Sequence, residues 1–319
     1  MTVRLKALCA HWIDCAALSD EQLTARIEAD RIDILVDLAG HTAHNRLPVF
    51  ARKPAPVQVT WLGYLNTTGL SAMDYRLTDA FADPPGISEQ YHSESLVRLP
   101  DSQWCYRHPG TTAPVSASPA QASGAICFGS FNKYQKLSVF LLEIWARMLQ
   151  QLPGAKMLFV GVPQEEQQGL AEFFAGRGVL RGRLEMHERM PLEQFREMHQ
   201  RVDVALDAHP YSGATTTCDS LWMGVPTLTL TGATSISRSS ASLLHALGMD
   251  EWIARSPAEF IELGKRHAGD LQRLSALRAG LREKLQASPL MGAARFTGSL
   301  ENAYRGMWQA HCCRGYSGS

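Results

Sequence analysis

Ser212-Gly213-Ala214-Thr215-Thr216-Thr217-Cys218-Asp219 decides how this chain is read, because of what stands on either side of it. Before it, Val202-Asp203-Val204-Ala205-Leu206-Asp207 reads as a buried parallel strand. After it, Ser220-Leu221-Trp222-Met223 reads as helix, and Met223-Gly224-Val225-Pro226 closes that helix ahead of the strand Thr227–Leu230. Small residues and clustered hydroxyls where a helix begins leave backbone N–H groups and the positive end of the dipole open to a phosphate. A ligand there would sit at the carboxyl edge of a sheet. The alternative is an N-capped helix whose threonines satisfy its own orphan N–H groups.

A second strand-to-loop transition has the same character. Ala125-Ile126-Cys127-Phe128-Gly129-Ser130-Phe131-Asn132 is followed by Lys136, and Ser138 opens an apolar-periodic helix through Leu141, Leu142, Trp145 and Met148. A lysine on such a loop can neutralise a diphosphate, and Asn132 can hydrogen-bond a sugar, base or phosphate oxygen; a solvated surface lysine is the other reading. Around these loops strand and helix alternate: Ile126–Phe128, Val139–Leu152, Met157–Val160, Glu165–Ala175, Leu184–Met186, Leu192–Arg201, Val204–Leu206, Asp219–Met223 and Thr227–Leu230. That pattern predicts an α/β fold with a doubly wound parallel sheet. Further helices are expected over Glu259–Ala268, capped by Ser256, and over Leu271–Leu285 and Phe296–His311.

Upstream, Ser19-Asp20-Glu21-Gln22 is a capping box opening a helix to about Asp30, followed by a strand over Ile32–Leu38. A short helix over Arg46–Arg52 and strands over Val57–Leu62 and Tyr75–Asp79 are expected next. The Pro/Ser/Thr/Ala-rich run His108–Ala122 reads as a connection, which places a partial first domain at 1–122 and a second domain at 123–319.

Composition fits a globular enzyme: 319 residues, 45% hydrophobic, 19% charged, formal net charge zero. No general basic field argues for nucleic acid, and no apolar run approaches the roughly 20 residues of a membrane helix, so a cytoplasmic location is expected. The seven cysteines lack a C-x-x-C pair and read as reduced thiols. No Asp-x-Asp occurs, which removes the usual carboxylate motif of a Mn²⁺-dependent sugar transferase. His41 and His44 could suggest a metal, but a His-x-x-His pair alone is a weak signal, and metal-free chemistry is the expectation.

Four segments carry a family resemblance: Ile34-Leu35-Val36-Asp37-Leu38-Ala39-Gly40-His41-Thr42, Arg52 through Tyr64, Phe128-Gly129-Ser130-Phe131-Asn132, and His209-Pro210-Tyr211-Ser212 through Asp219. With the ending Glu301-Asn302-Ala303-Tyr304-Arg305-Gly306-Met307-Trp308, they resemble, in order, the catalytic region of the O-linked N-acetylglucosamine transferase and SPINDLY family. The resemblance implies two facing Rossmann-like domains of GT-B type, with terminal helices packing back across the first. It also implies metal-independent, inverting transfer of a sugar from a nucleoside diphosphate to Ser or Thr of proteins. UDP-GlcNAc is the expected donor, with GDP-fucose the alternative; a protein or peptide is the acceptor, and no cofactor is expected. Family members often carry upstream helical repeats, which are not seen here. The start of the first domain is also missing from the expected pattern, so a non-catalytic nucleotide-sugar-binding module is a further reading.

Residue by residue, Lys136 stands where the family lysine meets the donor diphosphate, and Thr215, Thr216 and Thr217 where a threonine run holds the phosphates. Asp219 would accept from a ribose hydroxyl, or simply favour its helix by charge. Leu62 and Gly63 match the segment lining the sugar pocket, with an ordinary turn as the alternative. His41 and Thr42, directly after a strand, suggest contact with sugar or acceptor, His41 as a candidate base; Arg46 could add a phosphate contact.

Overall fold

A computed structural model of the chain describes residues 2–108, 110 and 114–316, so part of the connection expected over His108–Ala122 lies outside the described residues. Two compact units emerge. One comprises Met1–Leu77, His92–Val97 and Asn302–Ser319; the other comprises Thr78–Tyr91 and Arg98–Glu301.

The first unit opens with α1 (Thr2–Lys6) and α2 (Asp20–Ala29). Ser19 and Gln22 close the anticipated capping box on α2, each side chain accepting the other residue's N–H. Then follow β1 (Ile34–Asp37), α3 (Leu47–Ala51), β2 (Val57–Thr60), β3 (Tyr75–Asp79) and β4 (Ser95–Leu99), in a sheet ordered β1-β2-β3-β4; the last two residues of β3 and of β4 count with the second unit. β1 pairs parallel to β2 with Ile34 opposite Val57, and β2 pairs parallel to β3. Every residue of β2 is buried, as a central strand requires. β4 was not expected: Ser95-Leu96-Val97-Arg98-Leu99 is short and its burial partial, so its period is weak.

In the second unit the elements are α4 (Pro119–Ser123), β5 (Cys127–Ser130), α5 (Val139–Gln150), β6 (Lys156–Val160), α6 (Gln164–Ala175), β7 (Leu184–His187), α7 (Leu192–Met198), β8 (Val204–Leu206), α8 (Thr215–Trp222), β9 (Thr227–Leu230), α9 (Ser239–Ala246), β10 (Ile253–Ala254), α10 (Pro257–Ala268) and α11 (Leu271–Ala287), followed by α12 (Ala293–Tyr316), which belongs to the first unit from Asn302 onward. Their sheet is ordered β10-β9-β8-β5-β6-β7, and each adjacent pair is parallel. Counted from β5 as the first strand this is 3-2-1-4-5-6, the dinucleotide-fold order, whose switch point lies between β5 and β8. The core cluster runs through Phe128, Trp145, Phe159, Phe174, Leu228 and Phe260, all essentially inaccessible.

The units do not divide near Ser123. The Asp79 carboxylate accepts the Ala82 and Gln103 N–H groups at 2.7 and 2.9 Å and the Ser242 hydroxyl at 2.6 Å. Tyr106 N–H donates to the Leu290 carbonyl at 2.7 Å. These bonds join residues 78–83 and 98–108 to the second sheet, so much of the segment assigned to the first domain folds with the second. Among the described residues no helix is long and apolar enough to cross a membrane.

Candidate active site

The switch point of the second sheet collects the residues singled out in the two loops. Asn132 follows β5, and Asp207 follows β8. Both are buried, and with Phe131, Thr216, Thr217 and Ser220 they line one small pocket. Asp207 organises the floor: Oδ1 accepts the Gly213 N–H at 2.7 Å and the Ala208 N–H at 2.8 Å, and Oδ2 accepts the Thr229 hydroxyl at 2.7 Å. Burial pushes its carboxyl above the ordinary carboxylate range, against hydrogen bonds from Ser240, Thr229, Gly213 and Ala208 that pull it down. Gly213 has no alternative here, because a Cβ would stand 2.6 Å from Thr217 Oγ1 and 3.0 Å from Asp207 Oδ1.

The loop Gly213-Ala214 feeds α8, which begins at Thr215, so the threonine run forms the first turn instead of preceding the helix. The first intrahelical bond is from the Cys218 N–H to Ala214 O. The N–H groups of Thr215, Thr216 and Thr217 therefore have no carbonyl of α8 to meet and point out of its positive end. The three side chains diverge. Thr215 is exposed; Thr216 donates over a long 3.4 Å to Asn132 Oδ1; Thr217 is buried and paired with Ser240 Oγ of α9 at 2.8 Å. Thr217 thus fastens two helices by its hydroxyl and can offer a ligand its N–H.

Lys136 enters the same loop cluster. Its ammonium donates to Ser212 O at 3.3 Å and lies 4.0 Å from the centroid of the Tyr211 ring. Burial lowers its proton affinity, Asp207 raises it through space, and Lys133 lowers it. Ser138 caps α5 through the Leu141 N–H and donates to His209 O at 2.7 Å, which fixes the loop carrying Lys136 beside the one carrying Tyr211. Asp219, further along α8, is buried with its Oδ1 engaged by the Tyr106 hydroxyl at 2.6 Å.

In the first unit, Asp37 repeats the Asp207 arrangement at the end of β1. It accepts the Ala39 and Gly40 N–H groups and the Thr60 hydroxyl, the last at 2.8 Å. The loop it shapes carries His41, whose Nε2 lies 2.8 Å from Thr68 O. A carbonyl only accepts, so Nε2 bears the proton and Nδ1 of the neutral ring keeps its lone pair. Thr68 is itself held by Glu94, which takes its N–H at 2.6 Å. Burial works to raise the Glu94 carboxyl, but hydrogen bonds from Thr68 and Thr67 outweigh it and leave the carboxyl below its usual range. Thr42 turns its hydroxyl back to Ala39 O at 2.9 Å.

Leu62 sits at the centre of a three-residue turn closed by the Gly63 N–H on Trp61 O, with a left-handed φ of 69°. Gly63 packs so closely that a Cβ would stand 1.9 Å from Leu38 O. Arg46 is occupied: it pairs with Asp20 at 2.8 Å and donates to Cys15, Ala16 and Leu18 carbonyls, pinning the segment before α2. The suggested phosphate contact would require it to abandon four acceptors.

The model of glycosyl transferase family 41 matches residues 2–112 and 116–300. The chain belongs to that family. It is 40% identical over 308 residues to the Petunia hybrida protein described as a probable UDP-N-acetylglucosamine–peptide N-acetylglucosaminyltransferase SPINDLY, covering 94% of this chain and 33% of the relative. A mutant of the Thermobaculum terrenum O-GlcNAc transferase superposes with a TM-score of 0.90 at 39% identity, over 98% of this chain and 60% of that one. The Anabaena protein HepE, solved with UDP and glucose, shares the fold alone: TM-score 0.55 at 13% identity, over 92% of this chain and 84% of that one. The α/β fold of GT-B type expected from the sequence is therefore the fold of this family 41 chain. The chain spans about a third of the length of the curated relatives it matches.

Three contributors to this candidate site were not singled out from the sequence: Asp207, Tyr211 and Tyr106. Asp207 had a legible signal, a carboxylate closing an apolar strand at its ligand edge. Tyr106 had none, lying 113 positions from its partner Asp219.

Proposed function

We propose that this chain holds the donor-binding part of a metal-independent, inverting protein O-glycosyltransferase that moves N-acetylglucosamine from UDP-N-acetylglucosamine to Ser or Thr. The observation that carries the reading is a half-buried ammonium, Lys136, in the same loop cluster as the three open N–H groups of α8, at the switch point of a parallel sheet. Cleaving the sugar–phosphate bond leaves negative charge on the departing diphosphate. A fixed ammonium and a helix N-terminus stabilise that charge more than they stabilise the bound donor, which is the requirement for catalysis. In an inverting displacement the acceptor hydroxyl attacks the anomeric carbon as the diphosphate leaves, and its proton needs a base. His41, with its Nε2–H committed to Thr68, has the Nδ1 lone pair to serve. The names of the family relatives support the sugar and the peptide acceptor.

Calorimetry with UDP, GDP, UDP-GlcNAc and GDP-fucose, with and without chelator, tests this together with a transfer assay on a Ser/Thr peptide. UDP-selective binding unaffected by chelator is expected. A strict Mg²⁺ or Mn²⁺ requirement overturns the metal-free mechanism, selective GDP binding with fucose transfer replaces the donor, and binding without transfer identifies a binding module.

A further inference from the structure

A half-buried ammonium is commonly kept charged by a carboxylate, yet among the described residues no carboxylate stands within ion-pair distance of Lys136. Its two close contacts are the Ser212 carbonyl and the face of Tyr211. The difference matters for a diphosphate. A carboxylate would hold the proton on Lys136 but cancel its charge, leaving a neutral pair with little to offer an anion. A ring face stabilises the cation through its quadrupole and leaves the net charge at +1. An ammonium has three N–H donors, and these contacts direct two of them.

We propose that Tyr211 is a positioning residue for Lys136, its ring face holding the lysine as an aimed ammonium that no carboxylate neutralises. The inference rests on the donor-site reading above. Burial and Lys133 oppose the charge on Lys136, and Asp207 favours it from beyond contact distance. Tyr211 follows Pro210 directly and precedes Ser212, whose hydroxyl donates to Ile236 O at 3.1 Å and accepts the Ser239 N–H at 3.1 Å. The ring is thus carried on a loop anchored to α9, and Lys136 is aimed by a rigid partner.

The test compares Tyr211→Phe, which keeps the face, with Tyr211→Leu, which removes it, in the full chain labelled with ¹³C at lysine Cε; Lys136→Arg assigns the resonance. In Tyr211→Leu the Lys136 pKa should fall by about one unit. Donor-dependent kcat should fall about tenfold, with KM for the donor moving far less, whereas Tyr211→Phe should match the parent in both. A parent-like Lys136 pKa in folded Tyr211→Leu, or a Phe variant as impaired as the Leu variant, overturns the proposal. Should Tyr211→Leu not fold, Tyr211→Met supplies the same comparison. A pKa shift in a chain that binds no nucleoside diphosphate would sustain the positioning role and sink the donor-site reading instead.

Discussion

Asp207 Oδ1 accepts the Gly213 N–H at 2.7 Å, so a carboxylate at the end of β8 draws the loop that leads into α8 down onto the sheet. Gly213 fits only because it lacks a Cβ, which would stand 2.6 and 2.8 Å from the Thr217 and Thr216 hydroxyls. Gly213→Ala should therefore shift this loop, cost about 1–3 kcal/mol of stability and weaken nucleoside diphosphate binding. Urea unfolding and calorimetry read the two effects. A variant with parent stability and affinity would show that the loop can relax around a methyl group.

Removing the carboxylate should do more. Asp207→Ala strands two N–H groups and the Thr229 hydroxyl in a buried place, at a cost of at least about 2 kcal/mol, while Asp207→Asn retains an acceptor for Gly213 and should lose less. Burial raises the Asp207 carboxyl above its ordinary value of 3.8. A raised pKa contributes stability that is complete below 3.8 and is lost as pH rises through the folded value. The parent should thus lose ground to Asp207→Asn with rising pH in that window, and pH-independent differences in urea midpoints would contradict it.

The second sheet was legible because its strands are apolar runs bounded by capped helices; Val204–Leu206 and Thr227–Leu230 stand as the periodicity placed them. α9 was not, since Ser239-Ser240-Ala241-Ser242 reads as a loop until Thr217, Gly213 and Asp79 accept or share its hydroxyls. Within the site, Lys136 and Asn132 were visible as polar residues following a strand. Tyr211 as a partner for the lysine, and Arg46 as a clamp on Asp20, depend on tertiary contacts that local pattern does not encode.

On the proposed mechanism, in which the ammonium acts mainly on charge that appears as the diphosphate leaves, Lys136→Ala should lower kcat by about 10²–10³ while donor affinity changes far less. Single-turnover transfer beside calorimetric donor binding separates the two. Equal losses in both would make Lys136 a binding residue only.

Two buried histidines predict acid lability. Burial lowers the pKa of His199 to about 3 and that of His267 to about 4, from an ordinary 6.5. His199 lies 3.7 Å from the Phe131 ring in a parallel stack, and His267 stacks on Trp252. A depressed pKa gives stability that is present above 6.5 and lost as pH falls toward the folded value, because the unfolded chain takes up the protons first. Each should remove about 1.4 kcal/mol per pH unit below 6.5 until its folded pKa is reached. Imidazole proton resonances should show neither ring titrating above pH 5 in the folded chain; a His199 midpoint near 6.5 would refute this account.

Leu62 offers a separation of stability from activity. Its left-handed φ of 69° places a branched side chain where glycine is preferred, at about 1–2 kcal/mol. Leu62→Gly relieves that strain and gains unfolded-state freedom of about 0.5–1 kcal/mol in opposition, so stability should not fall. If the Leu62 side chain lines the sugar pocket, transfer should still drop, in a variant at least as stable as its parent. The neighbouring change behaves oppositely: Gly63→Ala drives a Cβ to 1.9 Å from Leu38 O and must displace the end of β1, lowering stability and transfer together. Denaturant midpoints and initial transfer rates for both variants decide the matter. Parent-like transfer by Leu62→Gly would assign the strained turn to chain geometry alone and remove Leu62 from the sugar site.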